Sequence, residues 1–503
     1  MTLTMIGLLP LIGALVISAL PKANDKLVKQ VALATTIFVA LASYVMAAGF
    51  DRKEVGLQFY ESYNWISAFG IKYSVGLDGI ALVLILLSVT LAPIVVLAGW
   101  NESDSGRWSV KTFYILILTL ETMMIGVFAA TDVFLFYVFF EAMLVPVYFL
   151  IGGYGTGERA AAAVKFLLYS LFGGLLMLAA IIALYVMSGS QGGHTFDIGA
   201  LSQLQMSKAT QNWLFLGFFI AFAIKAPLWP LHTWLPDAAH SATPGTSVLL
   251  LGVLDKVGTF GMIRYCLTLF PDASRTFTPV ILALSVISII YGAFLAIGQR
   301  DIKRLIAFTS ISHFGFITMG IFAMTSQGQS GATLYMVNHG FSTAALFLVA
   351  GWMISRRKSS TISDFGGLQR VTPVMAWSFF IAGMSSLALP GLSSFVSEFL
   401  VLVGTFTRYP WHAVIATFGI VLAALYILIP VQRALHGPTT PGNESLSDLN
   451  LREKIAIAPV IAVIVALGFF PAPLLNIINP AATATIQAAG FTDPVAKIEQ
   501  GND

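Results

Sequence analysis

A single cysteine, Cys266, stands in 503 residues. That excludes an intramolecular disulfide and a Cys-ligated iron–sulfur cluster within the chain. Charge is scarce as well, at 10% of residues against about 25% in a soluble domain. A net charge of +3 gives no sign of nucleic-acid binding. No phosphate-binding glycine loop precedes a Lys-Ser or Lys-Thr pair, and no dinucleotide fingerprint follows a strand. ATP and NADH binding therefore have no support in this chain. The first apolar stretch, 3–20, lacks a basic segment before it. Lys22, Lys26 and Lys29 follow it instead, so a retained helix is expected there rather than a cleaved leader.

What remains is apolar: 57% of the residues are hydrophobic. A helix needs about 20 apolar residues to cross a bilayer. Fourteen segments qualify, at 3–20, 28–49, 79–99, 111–129, 132–152, 163–188, 211–235, 244–270, 278–296, 303–323, 331–354, 374–406, 411–434 and 455–475. The expected fold is therefore an all-α, multi-pass membrane protein. Between the second and third segments, residues 50–76 are polar and aromatic. Alternation in LQFYESYNW points to a small hairpin there. The odd-numbered loops carry well over half of the lysines and arginines outside the spans. By the positive-inside rule those loops are cytoplasmic and both termini face the other side.

Two segments carry breaks. The seventh reads FAIKAPLWPLHTWLPDAAH from Phe222, with Pro227, Pro230 and Pro236. The twelfth reads MSSLALPGLSSFVSEF from Met384, with Pro390-Gly391 ahead of Glu398. Proline removes a backbone donor and clashes with the preceding turn. Unwound backbone at membrane depth survives only where protein or a water-filled cavity satisfies it. Two broken helices five spans apart have opposite topology, as an inverted repeat requires. This divides the chain into 1–110 (spans 1–3), 111–270 (first repeat, spans 4–8), 271–434 (second repeat, spans 9–13) and 435–503 (span 14 and tail). The plainer alternative is that these prolines only kink structural helices.

Against this apolar background four ionisable residues stand out: Glu141, Lys225, Lys256 and Glu398. A charge near the bilayer centre costs roughly 3 kcal/mol on insertion scales, so such groups mark ion pathways or proton relays by default. His313 and His339 fall near the middles of spans 10 and 11, and His232 follows the break in span 7. Glu121 and Glu141 lie equally far from the short turn between spans 4 and 5. They should share a depth, and two nearby carboxylates cannot both ionise cheaply. Burial penalises the charged form of lysine and glutamate, and a neighbouring opposite charge restores it. A Glu141–Lys225 pair would thus hold a proton on Lys225, and its separation would release that proton toward Lys256. Histidine titrates close to neutrality and suits the steps between Lys256 and Glu398. The competing reading is a set of buried ion pairs that fix helix packing, with Glu121 a neutral helix-contact residue. Other chemistry fits less well. His313 and His339 would have to serve as haem ligands, and His232 and His240 are eight apart around Pro236. Asp255 reads as a local counter-charge to Lys256, and Arg264 as a residue snorkelling toward the interface.

The segments FLFYVFFEAMLVPVYFLIG from Phe134, FAIKAPLWPLHTWLPDAAH, QRDIKRLIAFTSISHFGF from Gln299, NHGFSTAALF from Asn338 and LPGLSSFVSEF resemble the antiporter-like membrane subunits of respiratory complex I, most closely the M branch. The resemblance covers nearly the whole chain. It implies a proton-translocating subunit of NADH:quinone oxidoreductase, driven by quinone chemistry in other subunits. Glu141 and Lys225 would be the family's ion pair, Lys256 the central relay lysine and Glu398 the outward exit. His232, His313 and His339 match family histidines near that axis. Glu398 is characteristic of the M branch, since its L and N relatives generally carry lysine there. Asp255 departs from the pattern, where an apolar residue is expected. The resemblance further implies other membrane subunits as partners, no cofactor in this chain, and a bacterial plasma membrane or mitochondrial inner membrane. Two other functions compete: a subunit of a multi-subunit Na+/H+ antiporter, which shares the axis, and a passive membrane scaffold.

Overall fold

The computed structural model describes residues 2–21, 24–104 and 106–494. Lys22 and the last residues of the 435–503 tail lie outside these. Among the described residues the regular elements are helices apart from one β-hairpin. Ten helices among the described residues are long and apolar enough to cross a membrane, or eleven when one bent pair is counted as a span. Leu3–Ala19 and Ser393–Phe406 are apolar but shorter.

Capping residues start the helices where the loops end. Asp78, Ser109, Asp132, Ser207, Thr243, Asp301 and Thr325 each accept a backbone N–H of the first turn. Such caps satisfy donors that an apolar environment would leave unpaired. Asn450 and Glu453 form a reciprocal capping box at Leu451–Phe469. That helix bends by 70° into Ala472–Ala488, which adds a helix where a tail is expected.

The helices sort into a buried centre and a perimeter. Pro244–Leu267 and Ile302–Phe322 are buried along their whole apolar length, and Ser326–Arg357 nearly so. Asp25–Ala48, Arg159–Gly189 and Pro410–Leu435 bury well under half of theirs. They turn Val45, Phe172, Val186 and Phe418 outward. Small residues let central helices approach closely, as in membrane helix packing generally. A Cβ on Gly315 would meet the Ser285 carbonyl oxygen at 2.6 Å, and one on Gly292 the Ser312 nitrogen at 2.8 Å.

The expected hairpin forms from Gln58–Ile66 and Ile71–Leu77, with Tyr63 opposite Tyr73 and Gly70 at φ 66° in the turn. It rests on the turn between Val110–Ala129 and Val133–Ala142 through a 2.7 Å hydrogen bond between Ser74 and Thr131. Glu61 accepts the Thr4 N–H and ties the hairpin to the first helix.

Both broken segments are interrupted. Lys208–Lys225 stops, residues 226–233 turn without helix, and Trp234–Ser241 resumes. The freed backbone is satisfied within the protein. Leu228 N–H donates to the Ala223 carbonyl, Trp229 N–H to Ser288 Oγ at 2.8 Å, and Trp234 Nε1 to the Ile224 carbonyl at 2.9 Å. Pro373–Ser386 likewise stops before Ser393–Phe406. The turn needs left-handed backbone at Ala388 (φ 61°) and Gly391 (φ 91°), which glycine adopts without a Cβ penalty. A third interruption was not anticipated. The 132–152 segment divides at Met143 into Val133–Ala142 and Leu144–Tyr154. Pro146 lacks the N–H that would bond to Ala142, and its ring crowds that carbonyl.

Candidate functional site

Lys225 is the last residue of its helix, immediately before the break. Its side chain is buried, and its Nζ has no hydrogen-bond partner. Two aromatic faces meet it instead: the Phe140 ring centroid at 5.0 Å and the Phe166 ring centroid at 5.4 Å. Cation–π attraction of this kind is worth more where water is excluded. Glu141 sits at the Met143 interruption, one residue past Phe140. Its carboxylate packs over the backbone of Arg159–Gly189, where a Cβ on Gly174 would fall 1.7 Å from Oε1. No ion contact joins Glu141 and Lys225 among the described residues, so the two stand near each other in a separated arrangement. Gly173, next to Gly174, lets the Lys208–Lys225 helix come close; its Cβ would lie 2.9 Å from the Ala221 Cα.

Lys256 lies between two stretches of wide, π-type turns, Leu250–Leu254 and Met262–Leu267. Such turns recur at functional sites because they release carbonyls from the regular ladder. Here the Leu251 carbonyl accepts from Lys256 Nζ. Nζ also contacts Asp255 Oδ1 at 2.9 Å and donates to His339 Nδ1 at 2.7 Å. Asp255 is therefore placed as the local counter-charge. Gly252 and Gly340 make the His339 contact possible: a Cβ on Gly340 would meet the Gly252 carbonyl oxygen at 2.9 Å. Gly258 does the same toward the break, where a Cβ would fall 2.6 Å from the Ala226 nitrogen.

Beyond Lys256 each histidine is hydrogen-bonded to its own partners, and no hydrogen bond joins His339 to His313 among the described residues. His339 Nε2 lies 3.2 Å from both Ser310 Oγ and Thr343 Oγ1. The His313 and His339 rings are 5.3 Å apart, centroid to centroid. His313 Nδ1 meets the Tyr335 hydroxyl at 2.8 Å, and Nε2 meets Ser386 Oγ at 3.1 Å. Tyr335 donates to Glu398 Oε2 at 2.7 Å. Both ring nitrogens of each histidine are thus hydrogen-bonded to protein groups.

Three candidates stand apart from this arrangement. His232 lies in the break, buried, with its ring edge-on to Tyr291 at 5.2 Å and Nδ1 unpartnered. Glu121 is fully buried with both carboxylate oxygens unpartnered, and no bond joins it to Glu141. His240 belongs to a polar cluster at helix ends: it contacts Asp301 at 3.1 Å, while Lys165 and Arg304 both reach Asp237. Arg264 does not end free at an interface. It pairs with Asp78 at 2.9 Å, because the Gly79–Ala98 helix begins beside it.

Sequence reading missed Phe140, Phe166, Tyr335 and Ser386. Tyr335 had a legible signal, since it lies one helical turn before His339 and so on the same face. Phe166 and Ser386 had none, being brought in from distant segments.

A family model described as NADH:quinone oxidoreductase/Mrp antiporter, TM, matches residues 130–423. NADH-quinone oxidoreductase subunit M of Mycobacterium tuberculosis (strain ATCC 25618 / H37Rv) is 49% identical over 99% of this chain and 96% of its own length. NADH-ubiquinone oxidoreductase chain 4 of Marchantia polymorpha is 35% identical over 96% of this chain and 97% of its own. Among solved structures, a chain of respiratory complex I from Thermus thermophilus superposes with a TM-score of 0.87 at 29% identity, covering 97% of this chain and all of that one. A chain of the Mrp complex from Dietzia sp. DQ12-45-1b shares the fold at a TM-score of 0.83 and 20% identity, covering 97% of this chain and 99% of that one. The chain is a multi-pass membrane protein of the NADH:quinone oxidoreductase/Mrp antiporter family, and within it belongs to the subunit M branch.

Proposed function

We propose that this chain is a proton-translocating membrane-arm subunit of an NADH:quinone oxidoreductase. Protons move along the buried line from Glu141 and Lys225 through Lys256, His339 and His313 to Glu398. His232 supports the inward end, and Glu121 is a further acid near it. The chain holds no redox centre and does not itself bind NADH; quinone chemistry in other subunits drives it. Its partners are the other membrane subunits of that complex. Fourteen spans, two inverted five-helix repeats at 111–270 and 271–434, and termini on the non-cytoplasmic side complete the reading.

The observation that carries it is the full-length similarity to subunit M, joined to the ionisable groups within its helices, of which Lys256, His313 and His339 lie in the three most buried. The separated Glu141 and Lys225 support a switching role. A lysine held by aromatic faces retains a charge at some cost, and approach of the carboxylate lowers that cost. Moving the pair apart or together therefore changes how readily Lys225 gives up a proton to Lys256. The test is Lys225→Ala in the intact complex. NADH:quinone activity and the proton gradient are measured in the same membrane vesicles. Loss of both with normal assembly is expected. Wild-type values for both would remove Lys225 from the pathway and favour a passive scaffold.

A further inference from the structure

We propose that Tyr335 is itself a proton carrier, its phenolic oxygen passing protons between His313 and Glu398. This rests on the relay reading above and adds a member to it.

The three groups belong to three helices. His313 is on Ile302–Phe322, Tyr335 on Ser326–Arg357 and Glu398 on Ser393–Phe406. No hydrogen bond joins His313 directly to Glu398 among the described residues. The Tyr335 oxygen spans the gap, 2.8 Å from His313 Nδ1 and 2.7 Å from Glu398 Oε2. It is also the one hydrogen-bond partner that Glu398 has among the described residues. Tyr335 is fully buried, and its ring is fixed against His313 and Phe316. A hydroxyl that only anchored a carboxylate would need one contact. This one holds two, one to each neighbouring group.

The hydrogen-bond directions agree along the array. Ser386 can donate to His313 Nε2, which leaves the proton of a neutral ring on Nδ1. Nδ1–H then donates to the Tyr335 oxygen, and Tyr335 O–H donates to Glu398. A proton reaching His313 makes the ring cationic with both nitrogens protonated. In the transfer the His313 Nδ1–H bond breaks as a new O–H bond forms on Tyr335. The original Tyr335 O–H bond breaks as an O–H bond forms on Glu398 Oε2. The imidazolium becomes neutral, the carboxylate becomes a carboxylic acid, and the phenol ends neutral with a different proton. No free phenolate arises, which matters because an unpaired buried anion is costly. Resetting the array takes three changes: Glu398 gives up its proton toward the exit, the Tyr335 hydroxyl rotates back toward Glu398, and His313 returns from the Nε2–H to the Nδ1–H tautomer.

The test uses the whole complex in membrane vesicles, comparing wild type, Tyr335→Phe and Glu398→Gln at matched subunit content. Phenylalanine keeps the ring and its packing and removes only the oxygen. Coupled proton pumping in Tyr335→Phe should fall by at least about threefold, in the manner of a lost proton-transfer group. Its rate in heavy water should fall further relative to ordinary water than that of the wild type. Site-specific 3-fluorotyrosine at position 335 keeps the shape and both hydrogen bonds and changes only the acidity. A carrier should then pump at an altered rate, and a structural hydroxyl should not. Wild-type pumping and isotope effect in Tyr335→Phe, with Glu398→Gln impaired, would overturn the carrier role and leave the relay reading standing. An unchanged rate with fluorotyrosine would overturn it equally. Wild-type pumping in Glu398→Gln as well would bring down the relay reading and this proposal together.

Discussion

The two ends of the buried line are built on different principles. Around Lys225 the ammonium has no hydrogen-bond partner and lies between Phe140 and Phe166, with Glu141 nearby but out of contact. Around Glu398 every group is joined: Ser386 to His313, His313 to Tyr335, Tyr335 to Glu398. Lys256 belongs to the second kind, bonded to His339 and faced by Asp255. An unpartnered buried charge is held weakly, so small movements change its energy greatly. A fully bonded chain is held firmly and costs little to keep in register. The first arrangement suits a group whose charge must change hands on command, and the second suits a wire.

The largest effect should come from breaking the unbonded end. Glu141→Gln is expected to abolish most coupled pumping, because it removes the charge that tunes Lys225. Glu141→Asp should be milder, since it keeps the charge at a shorter reach. Both are read as proton pumping per NADH oxidised in assembled complexes. Equal activity of the Gln and Asp forms would mean that hydrogen bonding alone matters there.

The bonded end should be more tolerant. The expected order of pumping is Glu398, then Glu398→Lys, then Glu398→Ala. Lysine can still bind and release a proton and can be met by the Tyr335 oxygen as acceptor, whereas alanine leaves a gap only water can bridge. Equal pumping by alanine and wild type, at matched assembly, would place the exit elsewhere.

A pair of adjacent glycines sharpens the contrast. Gly174→Ala puts a methyl group where the Glu141 carboxylate lies, and that flexible side chain can move aside. Pumping should drop severalfold with little change in thermal stability. Gly173→Ala meets backbone of the neighbouring helix, which cannot move alone, so it should destabilise instead. Melting temperatures and pumping rates of the two variants separate these outcomes.

The smallest effect lies outside the membrane-spanning helices, at the loop carboxylate Asp301. Burial would raise its proton affinity. The hydrogen bonds from Ser360 and the Arg304 N–H, with the His240 ring in contact, outweigh burial and hold it at about 2. A carboxylate depressed in the folded state stabilises it above the unfolded value of about 4. That contribution disappears as pH falls from there through about 2. Asp301→Ala should cost about 1 kcal/mol, as for a lost helix cap. Thermal melts at neutral pH and near pH 3 check it, and the difference between variant and wild type should shrink at the lower pH.

Much of this was legible along the chain because lipid is an unforgiving solvent. Long apolar runs have few alternatives to helices, and ionisable residues inside them have few reasons to be there except function. Glu141, Lys225, Lys256, His313, His339 and Glu398 stand out for that reason, and Pro227, Pro230 and Pro390-Gly391 mark the two breaks. The Met143 interruption was legible in principle from Pro146, whose effect falls four residues upstream.

What no pattern of residues could decide was who touches whom. The expected Glu141–Lys225 pair is open, because Gly174 offers the carboxylate a resting place on another helix. Asp255 reaches Lys256 because the π-type turns flanking it alter the angle between neighbours that a regular helix would impose. Tyr335 joins His313 to Glu398 only because three helices separated in sequence converge. Sequence determines which ionisable groups fall inside helices apolar enough to cross a membrane, since each is flanked by its own apolar run. Tertiary packing decides which of them share a proton, since a hydrogen bond depends on tenths of an ångström set by helix crossings.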